Sequence, residues 1–138
     1  MPELTQADFE HLLAFRTRLR EFQHWSEQQA RAVGLTHVQH QLLVAVKGHP
    51  GSDPPTVGDL AGYLLLRHHS AVELVNRTAD AGLVRRVADR HDGRIVRVRL
   101  TARGERRVTE LFPAHLRELH DLARALNDLL AAAPPVPG

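Results

Sequence analysis

Between residues 5 and 33, Phe9, Leu12, Leu13, Phe15, Leu19, Phe22 and Trp25 recur at roughly helical intervals. That period predicts a helix with one apolar stripe, and Gly34 stands where a left-handed residue ends a helix. Thr36 is placed to cap a second helix, His37 to Lys47, with Val38, Leu42, Leu43 and Val46 inward. Gly48 to Pro55 reads as a loop of glycine, proline, serine and aspartate. Thr56-Val57 begins extended, a brief helix Gly58 to Leu65 follows, and a further helix runs from His68 to Ala81, stopping at Gly82. In that last helix Ala71, Leu74, Val75 and Thr78 share the inward face.

The pattern then changes from a helical period to alternation. Leu83 to Val87 and Arg94 to Leu100 read as two strands joined at Asp92-Gly93, a tight-hairpin dipeptide in which glycine supplies positive φ. Val96, Val98 and Leu100 fall on one face, Arg97 and Arg99 on the other. Thr101 caps a long C-terminal helix that Pro113 is expected to kink or split. Beyond it Leu116, Leu119, Leu122, Leu126, Leu129 and Leu130 recur at three- and four-residue spacing. Two helices joined by a short turn and followed by a basic ribbon make a winged helix-turn-helix. The expected fold is mainly α with a small β-wing, the winged helix-turn-helix (36–101) being flanked by dimerisation helices (5–33 and 105–131), with a frayed tail (132–138).

Composition narrows the class. The 138 residues are 43% hydrophobic and 25% charged with no cysteine, as expected of one soluble domain, 1–138, without disulfides. The acidic N-terminal segment does not resemble a signal peptide and no apolar run is long enough to span a membrane, so the expected location is cytoplasmic. The net charge of +2 conceals an asymmetry. Residues 67–107 hold eleven arginines and five acidic residues, whereas the remainder holds seven basic and eleven acidic residues. Positive charge concentrated in one third of the chain points to a polyanion.

Double-stranded DNA is the polyanion that this order of elements suits. The helix 68–81 has Arg67, His68, His69, Ser70, Glu73 and Arg77 at its N-terminus or outward face, where side chains reach base edges and phosphates. Arg85, Arg86, Arg90 and Arg97 are expected to contact backbone phosphates, and the arginine-tipped ribbon to suit a narrow minor groove. The flanking helices carry more apolar surface than one small module covers, so a homodimer is expected.

Gly34-Leu35-Thr36, Thr56-Val57-Gly58-Asp59-Leu60-Ala61, Leu74-Val75-Asn76-Arg77, Ala81-Gly82-Leu83-Val84, Asp92-Gly93-Arg94 and Leu100-Thr101-Ala102-Arg103-Gly104, in this order, resemble the MarR family of bacterial transcriptional regulators. The resemblance covers about residues 5–130. It implies a homodimeric repressor of a promoter, released by a small molecule, often a phenolic or aromatic acid. It also implies that Arg94 enters the minor groove, supported by Asp92 through a bidentate pair. Ligands in this family settle between the dimerising helices and the winged domain, so His24, Trp25 and His40 are candidate effector-binding residues. The chain departs from the family pattern at Thr78, where a large apolar residue is usual, at His37 in place of proline, and at His68-His69.

Other functional classes have residue signatures of their own. Ten histidines invite a metal-responsive regulator, but zinc needs three or four converging ligands and no Cys/His spacing here supplies them; no metal or other cofactor is assigned. No Gly-rich phosphate loop, HExxH or GxSxG is present, and Asp89 and Asp92 read as turn chemistry, so no catalytic residues are assigned. A winged-helix module docking an acidic protein partner is the remaining alternative.

Overall fold

The computed structural model describes residues 3–133; the tail expected to fray lies outside the described residues from 134 onward. In chain order the elements are α1 (Gln6–Ala32), α2 (His37–Gly48), α3 (Val57–Leu64), α4 (His68–Asp80), β1 (Val84–Ala88), β2 (Val96–Leu100) and α5 (Ala102–Ala132). They form two compact units, one of residues 30–111 and one of the described parts of 1–29 and 112–138.

The winged unit begins where α1 stops. Gly34 adopts φ +82°, and the Leu35 amide turns back to the Ala30 carbonyl at 2.9 Å, a glycine-terminated helix end. Thr36 and Thr56 each start a helix with the same reciprocal device. The threonine hydroxyl accepts from the backbone of Gln39 or Asp59, and that residue's side chain accepts from the threonine amide, satisfying donors the first turn leaves open. Between α3 and α4 the chain turns at Leu65, a non-glycine residue at φ 54°. Gly82 ends the α4 turn at φ +77°.

These helices close on one core. Leu42, Leu43, Leu60, Val75, Leu83 and Val98 are almost wholly buried in it, each burial worth roughly 1.5–3 kcal/mol. One expectation changes here. Val38 is 40% exposed, and His40 takes the inward place at 7%. Thr78 is completely buried, on the inward face expected of it. Its hydroxyl donates to the Leu74 carbonyl at 2.7 Å, so the polar group is satisfied within its own helix.

The C-terminal helix is one continuous element through Pro113, so of the kink or split expected there the split does not occur. A proline inside a helix costs about 3 kcal/mol, and here the helix has buried residues on both sides of it: Val108 and Leu111 in the winged unit, Leu122 in the helical one. Its first turns therefore belong to the winged core and not to a flanking helix beginning at 105. Thr101 caps it, accepting from the Gly104 amide at 3.1 Å.

The helical unit pairs parts of α1 and α5 through Arg18 and Glu118, 3.0 Å apart. A cluster also forms in which Trp25 lies 4.7 Å from the His115 ring and Ser26 hydrogen-bonds His115 at 2.7 Å. Yet Phe9, Leu12, Leu13, Phe112 and Leu130 of this unit are each more than half exposed. No helix among the described residues is long and apolar enough to cross a membrane.

Gly104 explains the last residue of the Leu-Thr-x-x-Gly run. A Cβ built there lies 2.0 Å from the Leu83 carbonyl oxygen, which also accepts the Thr101 amide. Gly104→Ala is expected to destabilise the protein by about 3 kcal/mol, the scale of an overpacked core site. Urea unfolding measures it, and a loss under ~0.5 kcal/mol would remove the close approach as the reason for glycine.

Candidate nucleic-acid interface

The ribbon pairs antiparallel with Val84 opposite Leu100, Arg85 opposite Arg99, Arg86 opposite Val98, Val87 opposite Arg97 and Ala88 opposite Val96. A two-residue turn at Asp92-Gly93 would have put Val87 opposite Val98. Gly93 does not take positive φ, and residues 89–95 form a longer loop. One residue of register exchanges the faces of a strand, so this difference decides which arginines share a side. Arg86 lies on the side of Val98, toward α4, and bonds Asn76 at 2.5 Å. Arg85, Arg97 and Arg99 lie on the other side.

Aspartates shape the loop. Asp89 accepts the amides of His91 and Asp92, both at 3.0 Å, and the Asp92 carbonyl accepts the Ile95 amide at 3.0 Å. Both carboxylates do the turn work expected of them. Asp89 has a second role that periodicity did not disclose. It accepts Arg97 Nε at 2.6 Å, while Arg97 Nη1 donates to the Pro54 carbonyl at 2.6 Å. The Arg97 hydrogen bond and the two amides hold the Asp89 carboxyl down to about 2. Arg97 is thus a half-buried clamp between tip, strand and the loop before α3, a different position from the free phosphate donor expected. Arg90 pairs with Asp53 at 3.2 Å across the same loop.

At the tip, Asp92 Oδ1 accepts Arg94 Nε at 3.0 Å and Oδ2 accepts Nη2 at 3.1 Å, the bidentate arrangement that the resemblance implied. The Arg94 side chain remains 92% exposed, so Asp92 orients the guanidinium without covering it, and Nη1 stays open. The same contact, led by the Arg94 side chain, lowers the Asp92 carboxyl from its ordinary value.

Arg67 caps α4 without a side-chain hydrogen bond, leaving first-turn amides available to an anion. Arg67, His68, His69, Glu73 and Arg77 are exposed and Ser70 half-buried. A cleft of about 290 Å³ separates α4 from the wing, with His68, Asn76, Arg86 and Arg94 on its walls. The α4 face and the wing tip therefore border one basic recess. His24 and Trp25 fall in the helical unit and His40 in the winged unit. Trp25 packs against Phe22 and His115; His115 was not anticipated, because adjacency across two distant segments leaves no local signal. No three His, Asp or Glu side chains converge as a metal site among the described residues.

The MarR family model matches residues 33–95, the span holding the recess and the wing tip. A solved MarR family protein from Bacillus stearothermophilus is 28% identical, with a TM-score of 0.72, covering 95% of this chain and 89% of that one. Over residues 33–95 the chain resembles the MarR family. It is also similar to an uncharacterized HTH-type transcriptional regulator, YsmB, from Bacillus subtilis. They are 33% identical over 73 residues, which is 53% of this chain and half the length of that relative. A cysteine-to-serine variant of MarR from E. coli, solved in complex with operator DNA, shares the fold. Its TM-score is 0.66 at 19% identity, over 87% of this chain and 90% of that one.

The Asp89 clamp predicts a sensitivity to acid. Because its carboxyl is lower in the folded protein than in the open chain, the contribution is present above pH ~4 and is lost as pH falls toward 2. Protection of the His91 and Asp92 amides, measured against their intrinsic exchange rates, is expected to fall over that window while core amides stay protected. Asp89→Asn should show the weaker tip protection already at neutral pH; unchanged protection in that variant would overturn the clamp.

Proposed function

We propose that this chain is a sequence-specific DNA-binding repressor that acts as a homodimer and is released by a small aromatic acid. The observation that carries the reading is Arg94, held by Asp92 yet almost fully exposed, beside the uncapped N-terminus of α4. In this reading Arg67, His68, His69, Ser70, Glu73 and Arg77 enter a major groove. Arg94 enters the adjacent minor groove and senses its width. Arg86 and Arg90 neutralise phosphates, and Arg97 positions the wing that presents them. The fold shared with a MarR protein complexed with operator DNA supports this assignment.

Dimerisation is supported by the exposed apolar residues of the helical unit, among them Phe9, Leu12, Leu13 and Phe112, whose burial against a second copy removes them from water. A two-fold dimer spaces two recognition helices by roughly 34–36 Å, one turn of duplex. The effector part rests on Trp25, half-buried against His115, with His24 and His40 as further candidates. An aromatic acid has a ring to stack and a carboxylate to accept hydrogen bonds.

Fluorescence anisotropy against duplex from upstream of the chain's own gene is expected to show two chains per site. Preference over unrelated duplex should be on the order of 10³. Arg94→Ala should cost about 1–3 kcal/mol and reduce the salt slope by about one while the fold is kept. Wild-type affinity in a folded Arg94→Ala dimer would refute the wing role, and absence of binding to either duplex at low salt would refute the DNA reading. Because Trp25 is the single tryptophan, a benzoate-class acid is expected to change its emission and weaken DNA binding together; an acid that releases DNA with no change in emission would remove Trp25 from the effector site.

A further inference from the structure

The side of the ribbon turned from α4 carries Arg85, expected from the sequence to contact a backbone phosphate, and Arg99, to which no role was assigned. Arg85 and Arg99 stand directly opposite each other in the ladder, both exposed. Cross-strand partners carry their Cβ atoms about 5 Å apart, and like charges there repel. Arg86, Arg90, Arg94 and Arg97 each have a side-chain acceptor; among the described residues the side chain of neither Arg85 nor Arg99 has a hydrogen-bonding or ionic partner.

The pair opens onto a cleft of about 330 Å³ with Lys47 and His49 among its other walls and the Pro54-Pro55 segment beside them. Two carboxylates also line it, and both are engaged: Glu105 with Lys47 and Asp53 with Arg90. What remains unneutralised is the two guanidinium groups. The register places them next to the Val84–Leu100 pair that ends the ladder, whereas Arg94 lies beyond the other end of β2, in the tip loop.

We propose that this cleft is a binding site for a small phosphate-bearing anion bridged between Arg85 and Arg99. Each guanidinium is a planar fork matched to two phosphate oxygens, and a doubly charged group between them converts their repulsion into attraction. A free phosphate and a DNA backbone phosphate offer the same chemistry. The position at the base of the wing, on the side turned from α4 and distant from Arg94, favours the freely diffusing anion.

Isothermal titration with inorganic pyrophosphate, at ionic strength held constant with chloride, tests this on the full chain. Wild type and Arg94→Ala are expected to bind saturably at one site per chain, and Arg85→Gln and Arg99→Gln at least about tenfold more weakly. The unliganded Arg99→Gln protein should melt no lower than wild type, because the substitution removes a like-charge contact, and pyrophosphate should raise the wild-type melting temperature more than that of the variant. Equal binding by wild type and Arg99→Gln, or no saturable binding by wild type, overturns the proposal. Duplex titration separates the two phosphate sources: Arg99→Gln is expected to keep DNA affinity. Failure of wild type to bind pyrophosphate, with a DNA salt slope lower by about one in Arg99→Gln, would reassign the pair to backbone phosphate and overturn the small-anion site. Loss of DNA binding by wild type with pyrophosphate binding intact would instead overturn the repressor reading and leave this site standing.

Discussion

A two-stranded ribbon is marginal in water without something to lie against, and in this protein the arrangement of the wing depends on one guanidinium. Arg97 reaches Asp89 at the start of the tip loop and the Pro54 carbonyl in the segment before α3. The same segment adds the Pro55 carbonyl to the Val98 amide at 2.9 Å and pairs Thr56 with Arg97. Three stretches distant in sequence are thereby joined at the strand whose next residue, Val98, is buried in the core. Because the contact is half-buried and charge-assisted, it is stronger than the exposed pairs around it.

This anchoring changes the meaning of the basic third of the chain. Much of its positive charge is engaged within the fold: Arg86 on Asn76, Arg90 on Asp53, Arg97 on Asp89 and Arg103 on the Ala81 carbonyl. Charge count alone therefore overstates the number of phosphate contacts, and geometry selects among them. Arg94 illustrates the distinction. An ion pair so exposed adds little to folding, so the value of Asp92 lies in orienting a guanidinium that is left open to a partner.

The two units divide the proposed work. The winged unit satisfies its own core, with the caps at Thr36 and Thr56 and the buried Thr78 hydroxyl leaving few polar conflicts. The helical unit leaves large apolar side chains in water, which suits a surface completed by another copy of the chain.

Helix positions, the caps at Thr36 and Thr101, the glycine stops at Gly34 and Gly82 and the charge asymmetry were all legible in the chain alone, whereas the cap at Thr56 was not. Each depends on residues within a few positions of one another, where period and local hydrogen bonding act. The Asp92–Arg94 pair was legible through a family likeness for the same reason, being two residues apart. Ladder register was not, since the Asp-Gly dipeptide permits a tight turn that tertiary packing overrode. That single-residue difference set Arg85, Arg97 and Arg99 on the side opposite Arg86. The inward turn of His40, the unbroken α5 through Pro113, the Leu83 carbonyl against Gly104 and the Arg97 clamp likewise depend on distant segments meeting. The chain by itself determined its elements and their charge. Only the tertiary structure decided which charges remain open to a ligand, because pairing across distant segments is settled by packing rather than by period.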